Sequence, residues 1–237
     1  MRERSRQPLT TGLPRLAAAL ALTGGGCIIL YAVRVSFSGK TSYSFLLWNL
    51  FLAYVPFLIA SAGAWFLDSL SERAKPALFV IPFALAWLLF YPNAPYIFTD
   101  FIHVMNKTYI RNQAAELLGE RGFLWYDLIM TAAFAFVGHF VGLVSVWLVQ
   151  RQLERFWGIW PARIGTVTAI ALSGFGIYLG RFSRLNSWDL IASPDKVAEA
   201  MKAIASDPHA MVFSLAFSLV ILFSYFGLVA FKRTGQS

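Results

Sequence analysis

The chain has 237 residues, of which 58% are hydrophobic and only 14% are charged, and its mean hydropathy is +0.61. A soluble domain carries charge on roughly a quarter of its residues, so this composition excludes a soluble globular protein and predicts a polytopic membrane protein. The net charge of +8 does not require nucleic acid as a partner, because lysine and arginine flank membrane spans on their cytoplasmic side. The single cysteine excludes an intrachain disulfide.

Six apolar segments are each close to the roughly 20 residues that a helix needs to cross the hydrocarbon layer. They cover residues 14–34, 44–67, 76–91, 124–150, 162–180 and 209–231. The sequence therefore predicts an all-α fold, a polytopic bundle of about six transmembrane helices that forms one domain over residues 1–237. The first segment is interpreted as an uncleaved span, because it is too long for the apolar region of a signal peptide.

Two connections between the spans have helical patterns of their own, at residues 104–122 and 193–207. The second begins with Ser193 and Pro194, a capping residue followed by proline at the first helical position. Val197, Met201 and Ile204 then form an apolar stripe. Both connections are predicted to be short amphipathic helices that lie on the membrane surface in contact with lipid.

The distribution of lysine and arginine indicates the orientation of the spans. With the N-terminus inside, eleven of these residues lie on the cytoplasmic side and nine on the outer side. This bias is small, but it predicts that both termini are cytoplasmic in the cell inner membrane. Independently of orientation, the connection between spans three and four lies on the same side as that between spans five and six.

The third span ends in a sequence that interrupts the helix, Tyr91-Pro-Asn-Ala-Pro-Tyr96. Each proline lacks a backbone N–H and restricts the residue before it, so a broken helix is predicted here. If the helix resumes after Pro95, Tyr96, Asp100 and His103 project from one face. An acid and an imidazole at the edge of a membrane are costly to desolvate, and such groups usually mark a functional site.

Polar residues of both outer connections could converge near this break. Asp100, His103 and Asp127 are the predicted catalytic residues, and these three with Asp189 form a plausible ligand set for zinc or another divalent metal. Such a metal would lower the pKa of a bound water and make it a nucleophile. A structural interpretation ranks ahead of the metal site, since aspartates at the ends of spans often pair with arginines; Asp189 could pair with Arg181 or Arg184.

A substrate-binding set is predicted beside these groups. The guanidinium groups of Arg181 and Arg184 could hold an anionic group such as a lipid phosphate. The other members of the set are Asn93, Tyr96 and Trp188. For Asn93 the structural alternative is a helix cap, for Thr99 a hydrogen bond to a nearby carbonyl, and for Trp188 an interfacial anchor.

His139 is a separate polar residue in the predicted fourth span. It lies twelve residues after Asp127, about 18 Å along a helix, and so cannot share a metal site with it. The flanking Gly138 and Gly142 predict a close helix contact, and a neutral histidine that forms a hydrogen bond across helices is the favoured interpretation.

Four sequence strings carry a resemblance to a known family. They are residues 91–103 (YPNAPYIFTDFIH), 125–127 (WYD), 138–140 (GHF) and 180–189 (GRFSRLNSWD). Together they resemble the bacterial multi-pass membrane family called domain of unknown function 1361. The resemblance implies a bacterial integral membrane protein and assigns no activity, ligand or catalytic residue.

Three functions follow from the residues. The sharpest is a metal-assisted hydrolase or transferase that acts on a lipid or another membrane-proximal substrate at the extracytoplasmic face. The second is binding or transport of an anionic lipid or solute without catalysis, because broken helices free backbone groups to face a ligand. The third is an accessory membrane subunit that docks a partner.

Overall fold

The computed structural model describes residues 8–70, 77–105 and 119–234, and these residues form helices joined by short turns. The helices are α1 (Leu13–Ser38), α2 (Phe45–Ser69), α3 (Ala77–Phe90), α4 (Asn93–Tyr96), α5 (Gly119–Trp157), α6 (Ile159–Phe182), α7 (Asp189–Ala192), α8 (Pro194–Ala205) and α9 (Pro208–Thr234). A 3-10 turn, Ile97–Asp100, follows α4. The predicted all-α fold is confirmed.

Six helical segments of the described chain are long and apolar enough to cross a membrane, as predicted. They are Leu13–Ser38, Phe45–Ser69, Leu78–Met105, Leu124–Trp157, Ile159–Phe182 and Pro208–Phe231. The predicted end of the third span is confirmed, since α3 ends at Phe90, and the candidate span continues past the proline break to Met105. The amphipathic helix predicted at 193–207 is α8, whereas most of the one predicted at 104–122 lies outside the described residues.

α5 is the centre of the bundle. In its most apolar stretch 67% of the residues are buried, compared with 17% in the corresponding stretches of α1 and α9. Its buried residues Met130, Phe134 and Val141 pack in the core between the other spans. The apolar side chains that α1 and α9 expose are suited to contact with lipid. The chain is therefore a multi-pass membrane protein with one buried helix at its middle.

Polar side chains also join the helices inside the apolar core. Gln152 Nε2 of α5 donates to the carbonyl of Ala60 in α2 at 2.7 Å. Asp68 at the end of α2 accepts hydrogen bonds from Thr10 and from Arg155 at the end of α5. Polar groups at membrane depth need such partners, and these ones hold the N-terminal segment, α2 and α5 together.

The broken segment fits between α5 and α6 because glycines leave room for it. A Cβ added at Gly138 of α5 would lie 2.6 Å from Ile97 Cδ1, and one at Gly142 would lie 2.7 Å from Ala94 Cβ. The predicted close contact around His139 is therefore confirmed, and its partner is the segment from α4 to the 3-10 turn. On α6, a Cβ at Gly176 would lie 2.5 Å from Pro92 Cγ.

Replacing Gly176 with alanine is expected to destabilise the bundle by about 1–3 kcal/mol, because the proline ring it would contact is rigid. Gly165→Ala on the same helix is the matched control, since its Cβ would lie at an ordinary 3.6 Å from Leu153 Cδ1. That control should be neutral or slightly stabilising. Thermal unfolding in detergent measures both, and equal melting temperatures would contradict the close packing of Pro92 on α6.

Candidate functional site

The break at the end of α3 is stabilised by a side chain. Asn93 Nδ2 donates to the carbonyl of Phe90 and to Ser187 Oγ, both at 2.9 Å. The interpretation of Asn93 as a cap for the helix that follows is wrong, because Asn93 is the first residue of α4 and makes no capping hydrogen bond there. It instead partners a carbonyl at the end of α3, near the point where Pro92 interrupts the helix, and ties the break to the loop after α6.

The chain after the break tightens into the 3-10 turn. Thr99 Oγ1 donates to the carbonyl of Tyr96 at 2.8 Å, as predicted. Asp100 ends this turn and is only 1% exposed, so its carboxylate faces the protein interior. Tyr96 and His103 are half-buried and face a cavity instead.

Asp100 has two partners from other helices. Asn49 Nδ2 of α2 donates to Asp100 Oδ2 at 2.7 Å, and Arg181 Nη1 of α6 lies 3.7 Å from Asp100 Oδ1. A buried carboxylate requires such compensation, and here an amide and a cation supply it. Sequence reasoning missed Asn49, although an asparagine within an apolar span is itself a signal that a polar partner lies nearby.

Arg181 also contacts the imidazole of His103. Both terminal nitrogens of the guanidinium lie 3.5 Å from His103 Nε2. A guanidinium can only donate a hydrogen bond, so Nε2 is the acceptor in this contact. The structure therefore brings together Asp100, His103 and Arg181, three of the predicted site residues.

A cavity of about 1170 Å³ opens beside this cluster, between α2, α3 and α6. Its walls are mainly leucines of α3 and α6, and side chains of α7 and α8 cover it. One end is polar, and we call it the polar end. The side chains that line the polar end are Asn49, Asn93, Tyr96, His103, Arg181, Arg184, Asn186 and Ser187. Four of the five predicted substrate-binding residues, Asn93, Tyr96, Arg181 and Arg184, thus line one cavity.

Arg184 has an unusual backbone conformation at the polar end. Its φ of 54° lies in the left-handed region, where no other non-glycine residue of the described chain is found. The amides of Ser183 and Leu185 both donate to the carbonyl of Leu179, which closes the end of α6 around it. Its side chain is exposed and makes no hydrogen bond or ion pair with any residue that the structure describes.

Asp127 does not join this cluster. Its carboxylate forms a two-point ion pair with Arg34 of α1, through Arg34 Nε and through Arg34 Nη2 at 3.1 Å. Next to it, Tyr126 donates to the carbonyl of Leu30 at 2.7 Å. The carboxylate predicted to join Asp100 and His103 is therefore paired instead with a cation of the first span. This pair fastens α1 to α5.

Asp189 and Trp188 do not line the cavity, although their chain neighbours Ser187 and Leu190 do. Asp189 Oδ2 accepts from the backbone N–H of Asn186 at 2.6 Å, which folds the loop before α7. The ion pair of Asp189 with Arg181 or Arg184 is not formed. Trp188 is exposed and does not line the cavity, in agreement with an interfacial anchor.

The predicted metal ligands do not fit a metal ion. Among the described residues, no three histidine, cysteine, aspartate or glutamate side chains are grouped so that they could hold one. Of the proposed four, Asp127 is held by Arg34 and Asp189 by its own loop. A zinc site takes three or four such ligands, so no step through zinc can be derived from this arrangement.

His139 differs from its predicted role as well. It is buried, its ring stacks edge-on against Phe98 at 5.2 Å between centroids, and its Nε2 has no hydrogen-bond partner among the described residues. The hydrogen bond predicted across helices through this nitrogen is therefore absent from the described chain.

Comparison with known proteins places the chain in a family. Residues 48–224 match the family described as protein of unknown function (DUF1361). The chain belongs to this family. The matched region of this DUF1361 chain contains the break, the cavity and the Asp100 cluster, whereas Arg34 lies before it. Neither the curated proteins nor the solved structures that were compared give a match.

Proposed function

We propose that this membrane protein binds an anionic amphiphile in the cavity between α2, α3 and α6. The observation that carries the proposal is the distribution of chemistry along the cavity: apolar walls lead to a polar end that contains two arginines. An apolar cleft with a few convergent polar groups is the usual form of a small-molecule site. The broken helix at Pro92 supports the same function, because it presents a polar side chain, Asn93, to the cavity.

The charges at the polar end favour an anion. Asp100 offsets the charge of Arg181, and the imidazole of His103 is neutral when it accepts from that arginine. The charge of Arg184 is then not offset, because its side chain has no partner in the described chain. The polar end therefore carries one net positive charge. Arginine suits phosphate and carboxylate groups because its fork of donors matches two oxygens at once.

A second candidate is a hydrolase or transferase that acts on the same ligand, and the imidazole of His103 at the polar end favours it. The metal-assisted form is not supported, because no three possible ligand side chains are grouped to hold a metal ion among the described residues. A reaction without metal would use His103 beside Arg181. If the wild type releases a product from a bound phospholipid and His103→Ala does not, this enzymatic function is established. If the wild type releases no product, the function is excluded for that lipid.

We further place the protein in the plasma membrane of a bacterium, with both termini in the cytoplasm and the polar end at the outer face. The support is the excess of basic residues on the N-terminal side of the bundle. Reporter fusions to the C-terminus test this orientation. Activity there of a reporter that requires export would reverse it.

Replacing Arg184 tests the proposed binding function. Both Arg184→Ala and Arg184→Gly are expected to weaken binding of phosphatidylglycerol about fivefold, near 1 kcal/mol, because the arginine is exposed and its charge is partly screened. The two variants should differ in stability. Glycine adopts a positive φ without strain, so Arg184→Gly should be more stable than Arg184→Ala, by about 1 kcal/mol.

Lipid titrations in mixed micelles measure the affinity, and thermal unfolding measures the stability. Arg163→Ala is the matched control, since Arg163 lies in the first turns of α6, the helix that ends just before Arg184, and is packed over Trp160 and does not line the cavity. It should bind phosphatidylglycerol as the wild type does. Equal loss in the control and in the Arg184 variants would show that the arginines act only as surface charge and would overturn the proposal.

A further inference from the structure

We infer that the ligand is a phospholipid taken sideways from a single leaflet, with its phosphate at Arg184 and Arg181 and an acyl chain in the cleft between α3 and α6. This inference rests on the proposed binding function and adds the class of ligand and its route. Three features of the cavity carry it: its depth, its open side and the position of its cover.

The depth of the cavity matches one leaflet. Leu172 lines its deep part and lies nine residues before Arg181 on α6. At 1.5 Å per residue this is roughly 14 Å along the helix axis. The hydrocarbon layer is about 30 Å thick, so half of it is about 15 Å. A chain whose head group sits at the arginines therefore has apolar wall along the thickness of one leaflet.

The walls are open toward the surrounding lipid. Leu85 of α3 and Leu172 of α6 both line the cavity, yet 61% and 49% of their surfaces are exposed. A cavity closed by protein would bury such leucines, as the core of α5 does. The exposed side of α3 and α6 faces the apolar layer of the membrane, so a lipid chain can slide in without passing through water.

Helices α7 and α8 cover the cavity at its polar end and leave its lipid-facing side open. Leu190 and Ile191 of α7 and Val197 and Met201 of α8 line the cavity from there. The charged residues of α8, Asp195, Lys196, Glu199 and Lys202, are exposed. α8 thus places apolar groups over the cavity and charged groups toward water, as an amphipathic helix at the interface does. A soluble anion would have to pass this cover, whereas a lipid enters beneath it.

The choice of phosphate follows from the donors. Two guanidinium groups three positions apart, Arg181 and Arg184, can contact several oxygens of one group, and a phosphodiester offers more acceptors than a carboxylate. The same chemistry would bind a free phosphate ester from solution. The two sources differ in whether the apolar cleft contributes to affinity.

The test therefore compares a head group alone with a whole lipid, using glycerol 3-phosphate and dioleoyl phosphatidylglycerol on delipidated protein. Tryptophans are placed in the cleft with Leu85→Trp and Leu172→Trp combined. The matched control combines Leu78→Trp and Leu215→Trp, two leucines of α3 and α9 with similar exposure that do not line the cavity. All four sites are exposed, so both double variants should fold.

We expect the cleft variant to bind phosphatidylglycerol at least tenfold more weakly than the wild type and the control, with glycerol 3-phosphate affinity unchanged. Equal phosphatidylglycerol affinity in the cleft and control variants would overturn the lipid inference. Binding that depends on Arg184 would in that case still support the proposed anion site. If neither ligand binds the wild type, or if binding does not depend on Arg184, both the proposed function and the inference are overturned.

Discussion

The Asp127→Ala variant is expected to lose about 3 kcal/mol or more of its free energy of unfolding, the largest stability effect anticipated for a single side chain of this protein. The substitution removes both contacts that the carboxylate makes with Arg34, whose side chain is only 12% exposed. Removing one partner of a buried ion pair is more harmful than removing both. Unfolding in detergent with a chemical denaturant measures the loss.

A double-mutant cycle separates the pair from its surroundings. Arg34→Ala combined with Asp127→Ala should be less destabilised than the sum of the single variants, by about 1–3 kcal/mol. All three proteins should bind phosphatidylglycerol with wild-type affinity where they remain folded, because neither residue lines the cavity. If the Asp127→Ala protein is stable but does not bind lipid, Asp127 belongs to the functional site, as the sequence predicted.

The helical spans could be predicted because hydrophobicity acts locally. Each span is a continuous apolar run, and its length against the thickness of the bilayer suffices to identify it. The proline break was predicted for the same reason, since the missing N–H is a property of the residue itself. α8 was predicted from Ser193 and Pro194 at its start and from its apolar stripe, although Ser193 makes no capping side-chain hydrogen bond.

The pairing of charges could not be predicted, because it depends on how spans separated in sequence pack together. Asp127 is 93 positions from Arg34, and Asp100 is 51 positions from Asn49. From topology alone, Asp127 could reach either Arg34 or the Asp100 cluster. The packing of α1 on α5 decides between them, and no single-sequence pattern reports that packing. The assumption that charged residues on one side of the bundle form one cluster therefore failed.

The break connects two features that the sequence analysis treated separately, the close contact at the glycines beside His139 and the polar residues around Asp100. Glycines of α5 and α6 admit the segment between Pro92 and Asp100 so closely that its backbone is fixed. The same packing turns Asp100 inward and leaves Tyr96 and His103 on the cavity wall. The glycine pattern that sequence reasoning used to predict a helix contact is thus also what positions the polar end.

Asp100→Asn is expected to tighten binding of anionic lipid about tenfold, near 1.4 kcal/mol, and to lower stability at the same time. The carboxylate lies 3.7 Å from Arg181 and offsets its charge, whereas the amide has the same shape and no charge. The polar end then carries two net positive charges. At the effective dielectric constant of a protein site, one added charge a few ångströms from a phosphate is worth at least this much.

Stability should fall by about 1–3 kcal/mol, because Arg181 loses its counter-ion until a lipid arrives. Asn49→Ala is the companion variant: it removes the other partner of Asp100 but keeps the carboxylate, so it should lower stability without tightening binding. Lipid titration and thermal unfolding of the three proteins decide between two roles for the carboxylate. Weaker lipid binding by Asp100→Asn at wild-type stability would mean that Asp100 orients Arg181 toward the ligand, and the charge balance proposed for the polar end would be wrong.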